Sequence, residues 1–442
     1  MTKIWSGGAS KELPSDIDNL MVDEDVVIDR VFLEYEVLAL LAYQVQMHMQ
    51  NLLPKEDSAK IISALLSLLD AKIVLKKELE DVHGNVENYV LQKAGEAGKN
   101  LRMFLSRNEQ IHTDILLYGR FELLRLASLS LQISKELLKK RDEVSGEMPG
   151  YTHYRQGMVI SVKSYFDYFA AIFKESAESL EQVSRSIDHV PFGYGSGFGS
   201  LSDADFNGVS ELLGLKAVKK NPQYLSLRRG MDEVDLVFPL LKLLLNISRI
   251  SQDLIMFSGD EMPLFTLPEG FVTGSSLMAN KRNPDFLEMV QGYTSEIIGK
   301  FNSLLGMVAN KSSGYHRDFQ ISKKILVNIF QRVKMILDPL PDFFSGLTVN
   351  SGAAGLSIKN SSYATANAKA MFSLGASWKD SYSQVGKRIL EGEKLDEIKP
   401  GSILSVDESD IRAVEDSVES GIKEIIRARE DLIGKARKLL DR

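Results

Sequence analysis

Proline is missing from two long stretches of this chain. None of its twelve prolines lies between Lys55 and Met148, and none between Asp285 and Asp338. Proline removes a backbone donor and clashes with the preceding turn, so windows this long without it suit long helices. Leu, Ala, Glu, Lys and Met dominate them, and these residues form helices well. From Leu117 the apolar positions fall at Leu117, Phe121, Leu124, Leu131 and Leu138, a stripe at helical spacing. A second stripe (Leu116, Leu123, Leu126, Ile133, Leu137) lies beside it. A helix that is apolar on more than one side is enclosed by other helices. Val234 to Phe257 reads the same way, with a kink or a start expected near Pro239, and so does Phe286 to Val308. About ten helical segments are expected, with no convincing strand alternation. Turn clusters fall at 142–152, 190–208, 259–284, 310–318 and 338–360. The expected fold is all-α, with a long-helix bundle in the middle and smaller helical pieces at each end.

Composition narrows the function classes. At ~150 residues per domain the length suggests two or three domains. Apolar residues make up 44% and charged residues 26%, which excludes a disordered tail, a collagen or a disulfide scaffold. The chain has no cysteine. That rules out thiol catalysis, iron–sulfur clusters and cysteine zinc sites, and fits a reducing compartment. A formal charge of −7 gives no basic excess for nucleic acid. The segment MTKIWSGGAS has no apolar signal region. No apolar run reaches the ~18 residues of a membrane span, and Leu236 to Ile247 is interrupted by Pro239 and Lys242. A soluble cytoplasmic protein that engages neither membrane nor nucleic acid is expected.

Three segments carry candidate chemistry. The six histidines show no H-x-x-x-H or H-E-x-x-H spacing, so no histidine metal site is expected. His153 stands out in PGYTHY, where Pro149 and Gly150 are expected to end one element and Thr152 and His153 to open the next. It is either a plain loop histidine or an imidazole placed beside a hydroxyl in a pocket. The segment TGSSLMANKRNPD (273–285) precedes a long helix and holds Gly274, Lys281 and Asn283. Backbone N–H groups, a point charge and an amide together suit a carboxylate that gains charge in a reaction; the alternative is an exposed loop and helix cap. In SRNEQ (106–110), Arg107 and Asn108 suit a second carboxylate, or Ser106 is only an N-cap. The Gly-rich PFGYGSGFGS (191–200) lacks phosphate-loop spacing and reads as a flexible or close-packed loop.

The segment GSSLMANKRNP (274–284) matches the signature G-S-S-x-M-x-x-K-x-N-P. On it the chain resembles the fumarase/aspartase superfamily and, within it, the argininosuccinate lyases. Other pieces occur in that family's order: WSGG (5–8), Asp29–Arg30, EDVHGNVE (80–87), SRNEQ, PGYTH (149–153), PFGYGSGFG (191–199), SRISQDLI (248–255) and GYHRDFQISK (314–323). WKDSY (378–382) is similar to the family's C-terminal domain. The resemblance implies three helical domains, taken as 1–105, 106–350 and 351–442. The central bundle would form the core of a homotetramer whose active sites are shared between subunits.

The implied reaction is β-elimination of argininosuccinate to arginine and fumarate, without metal or organic cofactor. A C–H beside a carboxylate loses its proton, so the doubly charged aci-carboxylate needs preorganised cations and N–H donors. The leaving nitrogen needs a general acid. By resemblance, Ser275 is the base, and His153 is the acid with Glu288 holding its imidazole. Lys281 and Asn283 hold the reacting carboxylate, with Asn280 beside them. Ser106, Arg107, Asn108, Thr152 and His83 line the fumarate half. Asp29 binds the arginine half, and Tyr315, Gln320 and Lys323 anchor the substrate. A serine hydroxyl is a poor base in water and needs Lys281 and loop N–H groups to stabilise its alkoxide.

The chain departs from the family's pattern at Phe104, Leu105, Glu109, Arg155 and Ala279–Asn280, and over residues 227–230. Asp25 stands where a serine is usual, four residues before Asp29. These departures cluster at recognition positions and leave the elimination residues intact. Two rival readings follow: a lyase that forms fumarate from adenylosuccinate, aspartate or malate, and a non-catalytic relative like the lens crystallins.

Overall fold

The computed structural model describes residues 14–441 apart from 23, 72 and 217–220. The WSGG segment therefore lies outside the described residues. After two short helices, Ser15–Val22 and Asp25–Ile28, come α1 (Leu33–Met49) and α2 (Lys55–Asp70). A shorter α3 (Val82–Ala94) follows. Four long helices come next: α4 (Arg107–Glu143), α5 (Val162–Ser186), α6 (Met231–Phe257) and α7 (Asp285–Val308). The chain continues through α8 (Gln320–Leu337), α9 (Ala364–Ser373), α10 (Trp378–Leu390) and the long α11 (Glu408–Leu440).

The first proline-free window holds the 37 residues of α4. A capping box starts this helix: Ser106 Oγ accepts from Asn108 N–H, and Glu109 Oε1 accepts from Ser106 N–H at 2.6 Å. That satisfies donors an open helix end would leave unpaired. Of the two predicted stripes, all but Leu117 and Phe121 are fully buried. The helix α4 packs along α5, and also touches α1, α6 and α11. Small residues allow the close approach to α5: Ser130 Oγ donates to Phe173 O (2.7 Å) and Ser134 Oγ to Ala170 O (2.8 Å). Gly119 does the same for α6, since a Cβ there would lie 2.7 Å from the Leu236 side chain.

The helix α6 starts at Met231 and carries Pro239 in its interior. Its start is set by Gly230, at φ 86, whose N–H donates to Glu233 Oε2 at 2.6 Å. A left-handed residue at that place favours glycine.

Strands enter where none was expected. β1 (Glu147–Thr152) and β2 (Arg155–Ser161) form an antiparallel hairpin with a bulge between Gly150 and Tyr151. Pro149 and Gly150 lie inside β1 rather than ending an element. Both residue types are unusual within strands, which hides this one from pattern reading. The remaining strands are two-residue ladders: β3 (Phe265–Thr266) pairs with β6 (Thr348–Val349), and β4 (Thr273–Gly274) with β5 (Arg282–Asn283).

Most buried apolar side chains form one core. A small separate core contains Ala368, Val385 and Leu395, around α9 and α10. The last helix returns to the main core through Ile411, Val414, Val418 and Leu432. Its approach is pinned by Asp167 on α5, which pairs with Arg141 (2.8 Å) and accepts from Ser405 N–H (2.7 Å). Among the described residues, no helix is long and apolar enough to cross a membrane.

Candidate active site

The starts of α3, α4 and α8 converge on a largely buried set of charges with Arg317 at its exposed edge. Asp81 is the N-cap of α3 and accepts from Gly84 N–H at 2.8 Å. Arg107, the first residue of α4, places Nη1 3.0 Å from Glu80 and 3.1 Å from Asp81. Arg317 reaches the other Glu80 oxygen at 3.0 Å. Asp29 is fully buried: one oxygen lies 2.8 Å from Lys323 Nζ, and the other accepts from Val82 N–H at 3.2 Å. Asp25 lies 3.1 Å from the same Nζ. On the segment leading into α8, Gln320 Nε2 donates to Tyr315 Oη at 2.9 Å. Burial raises the Asp81 carboxyl, but His83, Arg107, the Gly84 N–H and Lys323 outweigh it and hold its pKa low. Burial and the neighbouring Asp81 push Glu80 up despite its arginines. Glu80 also sits at φ 73, a backbone region costly for a non-glycine residue and concentrated at functional sites.

A second buried layer lies behind these charges. His83 Nδ1 is 3.0 Å from Glu36 Oε1, to which Gln110 Nε2 also donates at 2.7 Å. Burial opposes a charge on His83, but the carboxylates of Glu36 and Asp81 prevail and raise its pKa. Asp114 completes the group, with donor atoms of Glu36, His83 and Asp114 all within 4.8 Å of one another. Burial first, then the charges of Glu36 and Asp29, push the Asp114 carboxyl far above the ordinary carboxylate range. Two carboxylates this close cannot both ionise cheaply, so burial beside Glu36 favours the neutral acid at Asp114. An amide has the shape of that acid. Asp114→Asn is therefore expected to change stability by less than about 1 kcal/mol, measured by denaturant unfolding near neutral pH. A much larger loss would show that Asp114 carries a charge.

The Gly-rich loop is close-packed and closes over the start of α4. Glu109 Oε2 accepts from Gly193 N–H (2.7 Å) and Gly195 N–H (3.3 Å). Gly193, at φ 92, has no room for a side chain, since a Cβ would meet the Phe206 ring at 2.6 Å. Ser196 then projects onto the SRN segment: its Oγ lies 3.0 Å from Ser106 Oγ and accepts from Asn108 Nδ2 at 3.2 Å. Glu109, a departure from the family pattern, thus caps α4 and anchors this loop.

The other candidates lie elsewhere in the chain. His153 and Tyr154, at φ 53 and 57, form the two-residue turn of the β1–β2 hairpin. Two left-handed residues make the tight turn that suits a strand pair, and they leave Thr152 and His153 exposed at its tip. The β4–β5 ladder closes the signature segment into a loop with Gly274 opposite Arg282 and Thr273 opposite Asn283. Within it, Ser275 Oγ accepts from Leu277 N–H (3.2 Å) and Met278 N–H (3.0 Å). Lys281 N–H donates back to Met278 O at 3.0 Å. Asn280 and Lys281 are exposed, Asn283 is half-buried, and Glu288 is exposed in the first turn of α7. Among the described residues, no hydrogen bond or ion pair joins His153 to Glu288.

The profile of the family described as Lyase matches residues 17–299, well over half of the chain. The chain belongs to this lyase family. It lies in the fumarase/aspartase superfamily and is a carbon–nitrogen lyase. It is 28% identical to the argininosuccinate lyase of Thermotoga neapolitana over 393 residues, 87% of this chain and 98% of that one. It is 30% identical to the argininosuccinate lyase of Geotalea daltonii over 397 residues, 88% and 85% of the two chains. Solved structures share the fold. A fumarate lyase:delta crystallin from Brucella melitensis bound to cobalt has a TM-score of 0.71 at 17% identity, covering 93% of this chain and 97% of that one. EDDS lyase in complex with formate has the same TM-score and identity, covering 98% and 94%.

Within the chain of this lyase, Asp29, His83, Arg107, Tyr315, Gln320 and Lys323 belong to the largely buried region, with Ser106 and Asn108 at the mouth of α4. Thr152 and His153 stand on the hairpin tip, and Ser275, Asn280, Lys281, Asn283 and Glu288 on or beside the signature loop. Pattern reading did not single out Ser196, Glu80, Asp81, Arg317, Glu36 or Asp114. Glu80 and Asp81 lie in EDVHGNVE, and an Asp two residues before His-Gly is an N-cap signal. Nothing local marks Ser196, which reaches the site only because its loop folds back on α4.

Proposed function

We propose that this lyase cleaves argininosuccinate to arginine and fumarate by β-elimination. The observation that carries the reading is the setting of Ser275. Two backbone N–H groups aim at its Oγ, and such donors stabilise a negative oxygen and lower its pKa. Ser275, as alkoxide, takes the proton from the carbon beside the reacting carboxylate. Lys281 and Asn283 hold the aci-carboxylate that results. The C–N bond then breaks, and His153, oriented by Glu288, gives its proton to the leaving guanidino nitrogen. Ser106, Arg107, Asn108 and Thr152 face the fumarate half, while His83, buried against Glu36, lies behind Arg107 and not at the substrate.

This scheme needs the hairpin tip, the signature loop and the buried region to meet, which we assign to association of four subunits. Exposed apolar side chains support that assignment. Met231, Phe238 and Leu245 on α6, and Ile298 and Leu305 on α7, are exposed and repeat every seven residues, the spacing of a helix–helix seam.

The test is direct. Purified protein mixed with argininosuccinate is expected to release fumarate, followed by ultraviolet absorbance. Release only from adenylosuccinate, aspartate or malate would keep the reaction class and reject the substrate. His153→Asn is expected to lower kcat by roughly a hundredfold or more and to remove one limb of the pH–rate profile. An unchanged profile and rate would take His153 out of the mechanism.

A further inference from the structure

We infer that Gln156 is the positioning residue of the general acid: its amide seats the tip of the β1–β2 hairpin, and His153 with it, on the small core of α9 and α10. The inference rests on the role proposed for His153 and gives that small core a task in the reaction.

The hairpin tip has little else to hold it. The bulge between Gly150 and Tyr151 leaves Gly157 unpaired in β2 and divides the hairpin into a base and a tip. A bulge interrupts the ladder and bends the strand, so the base does not fix the direction of the tip. The tip runs from Tyr151 to Gln156, and its middle four residues are exposed. Among the described residues, every hydrogen bond from the tip to the chain beyond the hairpin is made by Gln156. One ring contact accompanies them, Tyr151 against Phe257 with centroids 5.6 Å apart.

The amide of Gln156 is saturated. Its Nε2 donates to Ser357 O (2.7 Å) and to Tyr151 Oη (3.2 Å). Its Oε1 accepts from Lys359 N–H (2.9 Å) and from the Ser362 hydroxyl (3.1 Å). A primary amide has two N–H donors and two acceptor lone pairs, so its full capacity is used, mostly on residues 357–362. That segment joins the short helix Ser351–Ser357 to the helical turn Asn360–Tyr363. The turn is fixed from its other side. Asn360 Nδ2 donates to Leu395 O at 3.1 Å, and Leu395 N–H donates to Asn360 Oδ1 at 2.8 Å. Leu395 belongs to the small core.

The clamp sits close to the acid. Gln156 pairs with Tyr151, the next pair is Thr152 with Arg155, and His153 and Tyr154 make the turn. A single residue pair therefore separates the held amide from the imidazole. Misplacing a reacting group by about 1 Å can cost on the order of a hundredfold in rate, so a loosened tip is expected to slow proton delivery. Glutamate has the same shape as glutamine but, ionised, has no donor for Ser357 O or Tyr151 Oη.

The test is a double-variant cycle on the full-length protein. Fumarate release from argininosuccinate gives kcat and KM for the wild type, Gln156→Glu, His153→Asn and the double variant. Gln156→Glu is expected to lower kcat by roughly tenfold or more and to flatten the limb of the pH–rate profile that His153→Asn removes. In the His153→Asn background the same change should lower kcat by less than about twofold, because no acid is left to misplace. Gln156→Met keeps the length without a charge and should behave like Gln156→Glu. An equal loss with and without His153, or a loss confined to KM, would overturn the assignment. Hydrogen exchange read by mass spectrometry is the second readout. Amides of residues 147–161 and 357–363 should exchange at least about threefold faster in both Gln156 variants, with α4 and α5 unchanged. Faster exchange in α4 and α5 as well would mean a general loss of stability and would also overturn it. If the wild type releases fumarate and the Gln156 variants turn over and exchange as it does, the positioning role fails and the proposed reaction stands. If argininosuccinate is not cleaved but exchange rises in those two segments alone, the substrate fails, the clamp stands, and the cycle is run on the substrate that is cleaved.

Discussion

Ser275→Ala is expected to cut fumarate release by roughly a thousandfold or more, with helix content and sedimentation unchanged. The size follows from the role we propose for it: a base that takes the proton in the transition state is not replaced by a methyl group. Stability should be spared, because Ser275 Oγ only accepts N–H bonds from Leu277 and Met278 in an exposed segment. When the hydroxyl is removed, those N–H groups can turn to water. An exposed substitution of this kind changes stability by about 0.5 kcal/mol at most. The measurement is kcat by ultraviolet absorbance together with sedimentation of the same sample. Turnover within tenfold of the wild type would remove Ser275 from its role and shift attention to the carboxylates near Arg107.

Lys323→Met carries the largest expected effect on stability, a loss of about 3–5 kcal/mol near neutral pH. Methionine fills much of the same volume but leaves Asp25 and Asp29 facing each other without a cation. The lysine's pKa is raised, with burial opposing the charge and Asp29 and Asp25 overcoming it. A cation whose folded pKa is raised contributes fully below its unfolded value near 10.4 and loses that contribution only as pH climbs through the folded value. The whole contribution is therefore present at pH 7. The deficit of the variant should shrink in acid, because Asp25, already raised to about 6, takes up a proton in place of the lost charge. Denaturant unfolding of both proteins at pH 7.5 and pH 5 checks this. A pH-independent deficit would mean that the loss is one of packing.

Which elements were legible locally follows from the range of the forces that make them. The helix α4 could be read from residues three, four and seven apart, and its start from Ser106 and Glu109, three positions apart. The β1–β2 hairpin could not, because its stability comes from cross-strand pairing, while Pro149 and Gly150 speak against a strand. The candidate site divides the same way. The signature loop was visible as a contiguous run of residue types, 274–284. The Glu80–Arg317 pair joins residues 237 positions apart, and neither partner has a neighbour in sequence that announces the other.

From the sequence alone came the helical class, the family resemblance, and the residue types of an elimination without thiol chemistry. These rest on short-range periodicity and on one compact motif. The tertiary structure alone decided how the charges are shared. It paired Lys323 with both Asp29 and Asp25, left Asp25 as the outward carboxylate, set Asp114 beside Glu36 where burial raises its pKa, and aimed two N–H groups at Ser275. Charge pairing in a buried region depends on distance and on the exclusion of water. Folding sets both by bringing together segments remote in sequence, so local order cannot specify them.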